Sequence, residues 1–180
     1  MIYCFLANGF EEVEALAPVD MLKRAKKEVK TVGVSGEFVL GSHGITVKAD
    51  ILPEEVILDD SLEAIILPGG MPGTTNLEKS EFVQNAIDYA VKNEKYVCAI
   101  CAAPSILGHK GILSGKEAIA FPGFEKDLEG AKISDKHVAV DGKIITAKGA
   151  GVAIDFGLEI VSQLCSKELS DEIRASIQCK

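Results

Sequence analysis

The run Tyr96-Val-Cys-Ala-Ile-Cys-Ala-Ala-Pro-Ser-Ile-Leu107 decides the reading of this chain. Its first half, Tyr96 to Ile100, has the apolar, β-rich character of a buried strand and stops abruptly at Cys101. Ala102 and Ala103 are small, and Pro104 suits the first turn of a helix, so the backbone can turn sharply with the sulfur left at the crest. That is the geometry of a nucleophile elbow. A helix N-terminus behind the thiol presents unpaired N–H groups and a partial positive charge, which predicts a pKa below the free value of about 8.5.

Outward from this junction the chain alternates. Strand-like runs occur at Ile2 to Ala7, Val29 to Val34, Ala64 to Leu67, Tyr96 to Ile100 and Lys143 to Ala147. Helical patterns fall at Glu12 to Lys26 (kinked or delayed by Pro18), Thr74 to Asn93, Ala102 to Gly108, Val152 to Cys165 and Lys167 to Gln178. Such alternation predicts an α/β fold with a mostly parallel sheet and helices on both faces. Two stretches depart from it: Glu37 to Lys48 reads as a Gly-punctuated hairpin, and Asp141-Gly142 between two β-rich runs marks a second. With 180 residues, 47% of them apolar, and no linker or repeat, residues 1–180 read as a single domain.

Charge and targeting narrow the function classes. The 19 basic and 27 acidic residues leave a net charge of −8, and the longest basic cluster is Lys23-Arg24-Ala25-Lys26-Lys27, which argues against nucleic acid as a partner. Met1 to Ala7 is too short for a signal peptide or a membrane span and reads as a first strand. Five cysteines without an export signal read as reduced thiols in a cytoplasmic protein.

Ligands of open parallel sheets bind beyond the carboxyl ends of the strands. Three loops there carry unusual residues: Asn8-Gly-Phe-Glu-Glu-Val-Glu14, Pro68-Gly-Gly-Met-Pro-Gly73, and the elbow itself. They supply an acid, an amide-rich turn and a thiol. The Gly70 and Ala102 N–H groups can point at one spot and form an oxyanion hole. Glu14 is the available proton carrier, and burial beside a thiolate would raise its pKa so that it donates a hydrogen bond to the sulfur.

Gly9-Phe-Glu-Glu-Val-Glu-Ala-Leu-Ala-Pro-Val-Asp20, Leu67-Pro-Gly-Gly-Met-Pro-Gly73, Ala99-Ile-Cys-Ala-Ala-Pro104 and Ala153-Ile-Asp-Phe-Gly157 resemble the motifs of the ThiJ/PfpI superfamily, in particular its parkinsonism-associated protein deglycase (glyoxalase III-like) branch. The blocks recur in family order across nearly the whole chain. The resemblance implies a flavodoxin-like three-layer sandwich, a homodimer, a reactive Cys101 bonded to the acid of Glu14, and Gly70 and Ala102 amides behind it. No His/Cys pair has metal-ligand spacing, so no metal site is expected, and no cofactor is expected either. Activities of this branch are conversion of methylglyoxal to lactate without glutathione, repair of glycated adducts, and a response to peroxide.

The departures from the family pattern are informative. Some members place a His before a Pro about twenty residues after the cysteine; here the dipeptide is Phe121-Pro122, so that Cys–His dyad is absent and weak turnover is expected. The usual Gly-Pro-Gly-Thr before the late helix reads Gly149-Ala-Gly-Val152. Ala102 follows Cys101, where protease and amidotransferase branches place His, so proteolysis and glutamine hydrolysis are disfavoured.

The remaining histidines and cysteines have mostly structural readings. His109 lies about 12 Å along the helix from Cys101, too far to reach the sulfur, and reads as a surface or cap residue. His137 reads as a strand-end surface residue, and His43, in the turn Gly41-Ser-His-Gly44, is kept as a candidate site neighbour. Cys98 and Cys101 spell a redox motif, yet three residues along a strand span about 10 Å and face opposite sides, beyond a disulfide's reach. Cys4 and Cys165 read as packed core thiols, Cys179 as terminal. Glu11 and Glu12 suit a helix N-terminus, and Asp20 can pair with Arg24. Two functions remain: a cysteine-dependent glyoxalase or deglycase, or a peroxide-responsive sensor or chaperone-like protein acting through Cys101.

Overall fold

The computed structural model describes residues 1–179; Lys180, the last residue of the 1–180 span, lies outside the described residues. Strand β1 (Ile2–Leu6) leads to α1 (Glu12–Arg24), β2 (Val29–Gly33), the hairpin β3 (Phe38–Leu40) and β4 (Thr46–Lys48), then β5 (Ala64–Leu67), α2 (Gly73–Lys79) and α3 (Glu81–Lys92). The second half comprises β6 (Tyr96–Ile100), α4 (Pro104–His109), β7 (Glu117–Ala118), β8 (Lys132–Ile133), β9 (Val138–Asp141), β10 (Ile144–Ala147), α5 (Ala153–Leu164) and α6 (Lys167–Ser176).

The main sheet has the order β2-β1-β5-β6-β10-β9, parallel throughout except for the antiparallel edge strand β9. Counted along its five parallel strands this is 2-1-3-4-5, the flavodoxin-like doubly wound order. Both faces are covered, and β1 shows why its sequence is apolar without alternation. Ile2, Cys4 and Leu6 enter a core with Ala15, Val19 and Leu22 of α1 and Phe156 and Ile160 of α5. Tyr3 and Phe5 enter the opposite core with Leu77 of α2, Ile87 of α3 and Ile106 of α4. A strand buried on both faces needs side chains that lose nothing by leaving water on either side.

Several boundaries differ from the sequence reading. The helix expected over Thr74 to Asn93 is two helices, because Ser80 is extended (ψ 112°) and its hydroxyl caps the next helix, accepting from the Val83 N–H at 3.4 Å. Helix α1 runs on through Pro18 and stops earlier than expected. Lys26 adopts a left-handed φ of 58°, and the Lys27 N–H returns to the Leu22 carbonyl at 3.0 Å, a Schellman ending. Asp20 is exposed and bonds the Arg24 guanidinium at 2.8 Å. Cys165 is exposed at the end of α5 and is no core thiol, whereas Cys4 is fully buried. The small β7-β8 pair has no counterpart in the sequence reading. Both hairpins form as expected, the second turning at Gly142 with φ 61°.

Helices α1 and α5 pack closely because Gly157 has no side chain: a Cβ there would stand 2.7 Å from the Pro18 Cα. This close crossing holds the start of α1, and with it Glu14, against the sheet. No helix among the described residues is long and apolar enough to cross a membrane.

Candidate active site

Strands β1, β5 and β6 are adjacent and parallel, so their carboxyl ends bring three loops to one place. The chain leaves β1 toward β2 on one side and returns as β5 on the other, which makes the β1-β5 edge the switch point where such folds bind ligands. The loop after β5 lies directly on the start of α1. Gly69 O accepts the Glu11 N–H at 2.9 Å, and a Cβ on Gly70 would stand 2.4 Å from the Glu11 nitrogen. Gly70 also has φ 85°, so both its conformation and its surroundings require glycine.

Cys101 sits just past β6 with φ 64°, a left-handed conformation that a side chain adopts only where its surroundings impose it. Two backbone bonds impose it here. The Cys101 N–H donates to Ala147 O at 2.9 Å, and its carbonyl accepts the Phe121 N–H at 2.8 Å. The turn also breaks strand alternation, so Cys101 packs toward the α1 and α5 core that holds Cys98, rather than facing the opposite side as a continued strand would. Cys4, Cys98, Cys101 and Cys165 are free thiols.

Glu14, one turn into α1, is 1% exposed and points at this elbow. Its Oε2 accepts the Gly69 N–H at 2.9 Å, its carboxyl also meets the Ala150 N–H, and it shares a hydrogen bond with the Cys101 thiol. Burial pushes its pKa up from 4.5 to about 7, the bonds from Cys101 and Gly69 opposing and the Glu11 charge adding. The Cys101 sulfur meets the Ala102 and Gly70 amides. The expectation of a lowered thiol pKa is reversed: burial, and then the charge of Glu14, push it up to about 12 against the pull of those amides. The part of the rise due to the Glu14 charge holds only while that carboxyl is ionised, whereas the part due to burial does not depend on it. Once the carboxyl holds the proton it becomes a donor to the sulfur, and the repulsion vanishes. Thiol and carboxyl therefore act as a coupled pair sharing a proton.

The structure thus brings Cys101, Glu14, Gly70 and Ala102 together. His43 is placed elsewhere, with Nδ1 3.1 Å from Glu12 and 3.2 Å from Glu11, its ring largely exposed and its pKa raised by Glu12 first and then Glu11. Glu12 is 4% exposed. Burial would raise its pKa, yet bonds that include the His43 and Ile45 amides outweigh it and lower the value. It is the residue that ties the hairpin turn to α1. Ligand atoms of Glu11, Glu12 and His43 lie within 4.8 Å of one another, a grouping able to hold a cation that the sequence, which separates them by about thirty residues, does not display. His109 pairs with Glu78 at 2.5 Å on the surface.

One feature escaped the sequence reading. A cavity of about 510 Å³ beside the elbow is lined by Phe121, Pro122, His137, Lys148, Ala150 and Val152 among others. Its walls are the segments that hold Cys101. The altered loop Gly149 to Val152 was the signal available in the sequence; His137, read only as a strand-end residue, faces the same space.

A doubly wound sheet with a strained cysteine elbow, an acid on the thiol and two amides behind it defines a class of α/β proteins built around one reactive cysteine. The chain belongs to the DJ-1/PfpI family, which it matches over residues 1–163. It is 33% identical to the dj-1beta protein of Drosophila melanogaster, covering 93% of this chain and 91% of that one. A protein of Pyrococcus abyssi named as a deglycase is 33% identical, covering 81% and 87% of the two chains. The chain spans only 44% and 37% of the lengths of DJ-1 homologs A and B of Arabidopsis thaliana. Oxidized Toxoplasma gondii DJ-1 superposes with a TM-score of 0.93 at 33% identity, covering 98% and 97%.

Proposed function

We propose that this protein is a cysteine-dependent glyoxalase or deglycase acting on methylglyoxal-type dicarbonyls or their protein adducts. The observation that carries the reading is the buried Glu14 carboxyl bonded to the Cys101 thiol on a left-handed elbow. Glu14 takes the thiol proton as sulfur adds to the aldehyde carbon, giving a hemithioacetal whose oxygen lies toward the Gly70 and Ala102 amides. The carboxyl returns that proton to the hemithioacetal oxygen, then takes one from the former aldehyde carbon to give an enediolate and delivers it to the neighbouring carbon. The hydroxyl proton meanwhile passes from the first oxygen to the second, leaving the thioester of the 2-hydroxy acid. Water cleaves it to the 2-hydroxy acid and frees the thiol, so methylglyoxal plus water becomes lactate. Phe121 offers no proton, which leaves Glu14 to serve every step and keeps turnover weak.

Purified protein incubated with methylglyoxal is expected to yield lactate. Lactate no greater than that from a Cys101→Ser variant would sink the enzymatic reading. The match to an oxidized relative favours a second one, a cytoprotective peroxide response in which Cys101 becomes a sulfinic acid hydrogen-bonded to Glu14. Mild peroxide should then add about 32 Da, two oxygens, at the Cys101 peptide. An unchanged mass argues against this response.

The reading further assigns a cytoplasmic homodimer. Val13 (51% exposed) and Leu16 (39%) of α1 are apolar and uncovered, as are Leu40 and Ile45 beside the hairpin turn that Glu12 ties to the same helix. Sedimentation at the mass of a single chain would remove the dimer.

A further inference from the structure

We propose that the cavity beside the elbow is the substrate's binding arm, and that Lys148, with His137 next to it, selects dicarbonyl substrates carrying a carboxylate. The inference rests on the cysteine-dependent reading above and names its substrate class.

The cavity lies beside the reacting pair, its walls formed by segments that contact Cys101 and Glu14 rather than by those two side chains. One wall holds Phe121, whose N–H fixes the Cys101 carbonyl; the other follows Ala147, whose carbonyl holds the Cys101 N–H. Ala150 on that wall also meets the Glu14 carboxyl, and a Cβ on Gly149 would stand 3.9 Å from Glu14 Oε1 and 3.2 Å from the Phe121 ring. At about 510 Å³ the space falls within the range of small-molecule sites, about 300–1,000 Å³, and exceeds what a three-carbon substrate fills.

Its chemistry is lopsided. Phe121, Pro122 and Val152 give apolar walls, Lys148 is the one fixed cation among the lining residues, and no acid lines the cavity. In a chain of net charge −8 such a place is an exception. Lys148 acts on Glu125 only through space, and its backbone N–H donates to His137 O at 3.0 Å, which fixes the two residues side by side. A single exposed ammonium among apolar walls next to the elbow matches one carboxylate separated from the dicarbonyl by a short methylene chain.

The test compares 4,5-dioxopentanoate with 2-oxohexanal, an uncharged dicarbonyl of similar reach, each followed as its 2-hydroxy acid. The kcat/KM ratio of the anionic to the neutral substrate is expected to be about tenfold, the worth of one charge-assisted hydrogen bond. Lys148→Gln should bring the ratio close to unity, and Lys148→Arg should largely retain it. A ratio near unity in the unmodified protein, or equal loss on both substrates in Lys148→Gln, overturns the proposal. If neither substrate turns over, the enzymatic reading has failed, and the anion site is judged separately by labelling Cys101 with iodoacetate and iodoacetamide. Lys148→Gln should then lower the iodoacetate-to-iodoacetamide rate ratio at the Cys101 peptide about threefold. An unchanged labelling ratio overturns the site in its own right.

Discussion

Exchanging Glu14 for glutamine is expected to slow lactate formation at least about a hundredfold, the usual worth of a positioned acid–base group, and at the same time to stabilise the fold in alkaline solution. Glutamine keeps the shape and can accept the Gly69 N–H, so the loop after β5 retains its anchor, but it can neither take the thiol proton nor carry one between carbons. The stability effect follows from burial. The folded-state pKa of Glu14 is raised from 4.5 to about 7, so the stability tied to its neutral form is fully present below about pH 4.5 and is lost as the pH rises through 7. A shift of that size corresponds to roughly 3 kcal/mol. Urea unfolding at pH 5 and pH 8.5 should therefore show the native protein losing stability relative to Glu14→Gln at the higher pH. Parallel pH dependences would mean that the carboxyl is not held neutral by the fold. The kinetic counterpart is a kcat/KM that rises through about pH 7, as the pair gives up its first proton, and a Glu14→Gln profile without that limb. A functional group kept at some expense of stability is common at reactive sites.

Gly69→Ala should be nearly as damaging to activity while leaving every catalytic side chain in the sequence. A Cβ at this position would lie 2.6 Å from Glu14 Oε2, 2.7 Å from the Cys101 Cβ and 2.9 Å from Ile100 O. The methyl group would wedge between acid and thiol, and one of its neighbours is backbone that cannot swing aside. Overpacking of this kind typically costs about 1–3 kcal/mol, and displacement of a reacting group by about 1 Å can cost a hundredfold in rate. Circular dichroism should stay native while the iodoacetamide reactivity of Cys101 changes and lactate formation falls by about a hundredfold. Native rates in this variant would show that the spacing of Glu14 and Cys101 does not limit the reaction.

Local features were legible in the sequence because local forces set them. The apolar run Tyr96 to Ile100, the small residues after Cys101 and Pro104 specify a strand, a tight turn and a helix start within a few residues of one another. The doubly wound order was legible at the level of class, since alternating strand and helix patterns leave few topologies that bury both sheet faces. The split at Ser80 was less visible, because the apolar periodicity of α3 continues the trend of α2 and only the hydroxyl cap interrupts it.

What the chain alone determined about this protein is the thiol at a strand-to-helix turn, the acid and amide loops at neighbouring strand ends, and the doubly wound class that places them together. Tertiary structure decided the rest. The sign of the Cys101 shift depends on how much protein surrounds the sulfur, and desolvation sums over every packed neighbour, so no motif could reveal that burial and the Glu14 charge outweigh the amides. His43 turned out to serve Glu11 and Glu12, while His137 and Lys148 came to line the cavity at the elbow. These pairings join residues far apart in the chain, and only the strand order and the path of the crossovers bring them within range of one another.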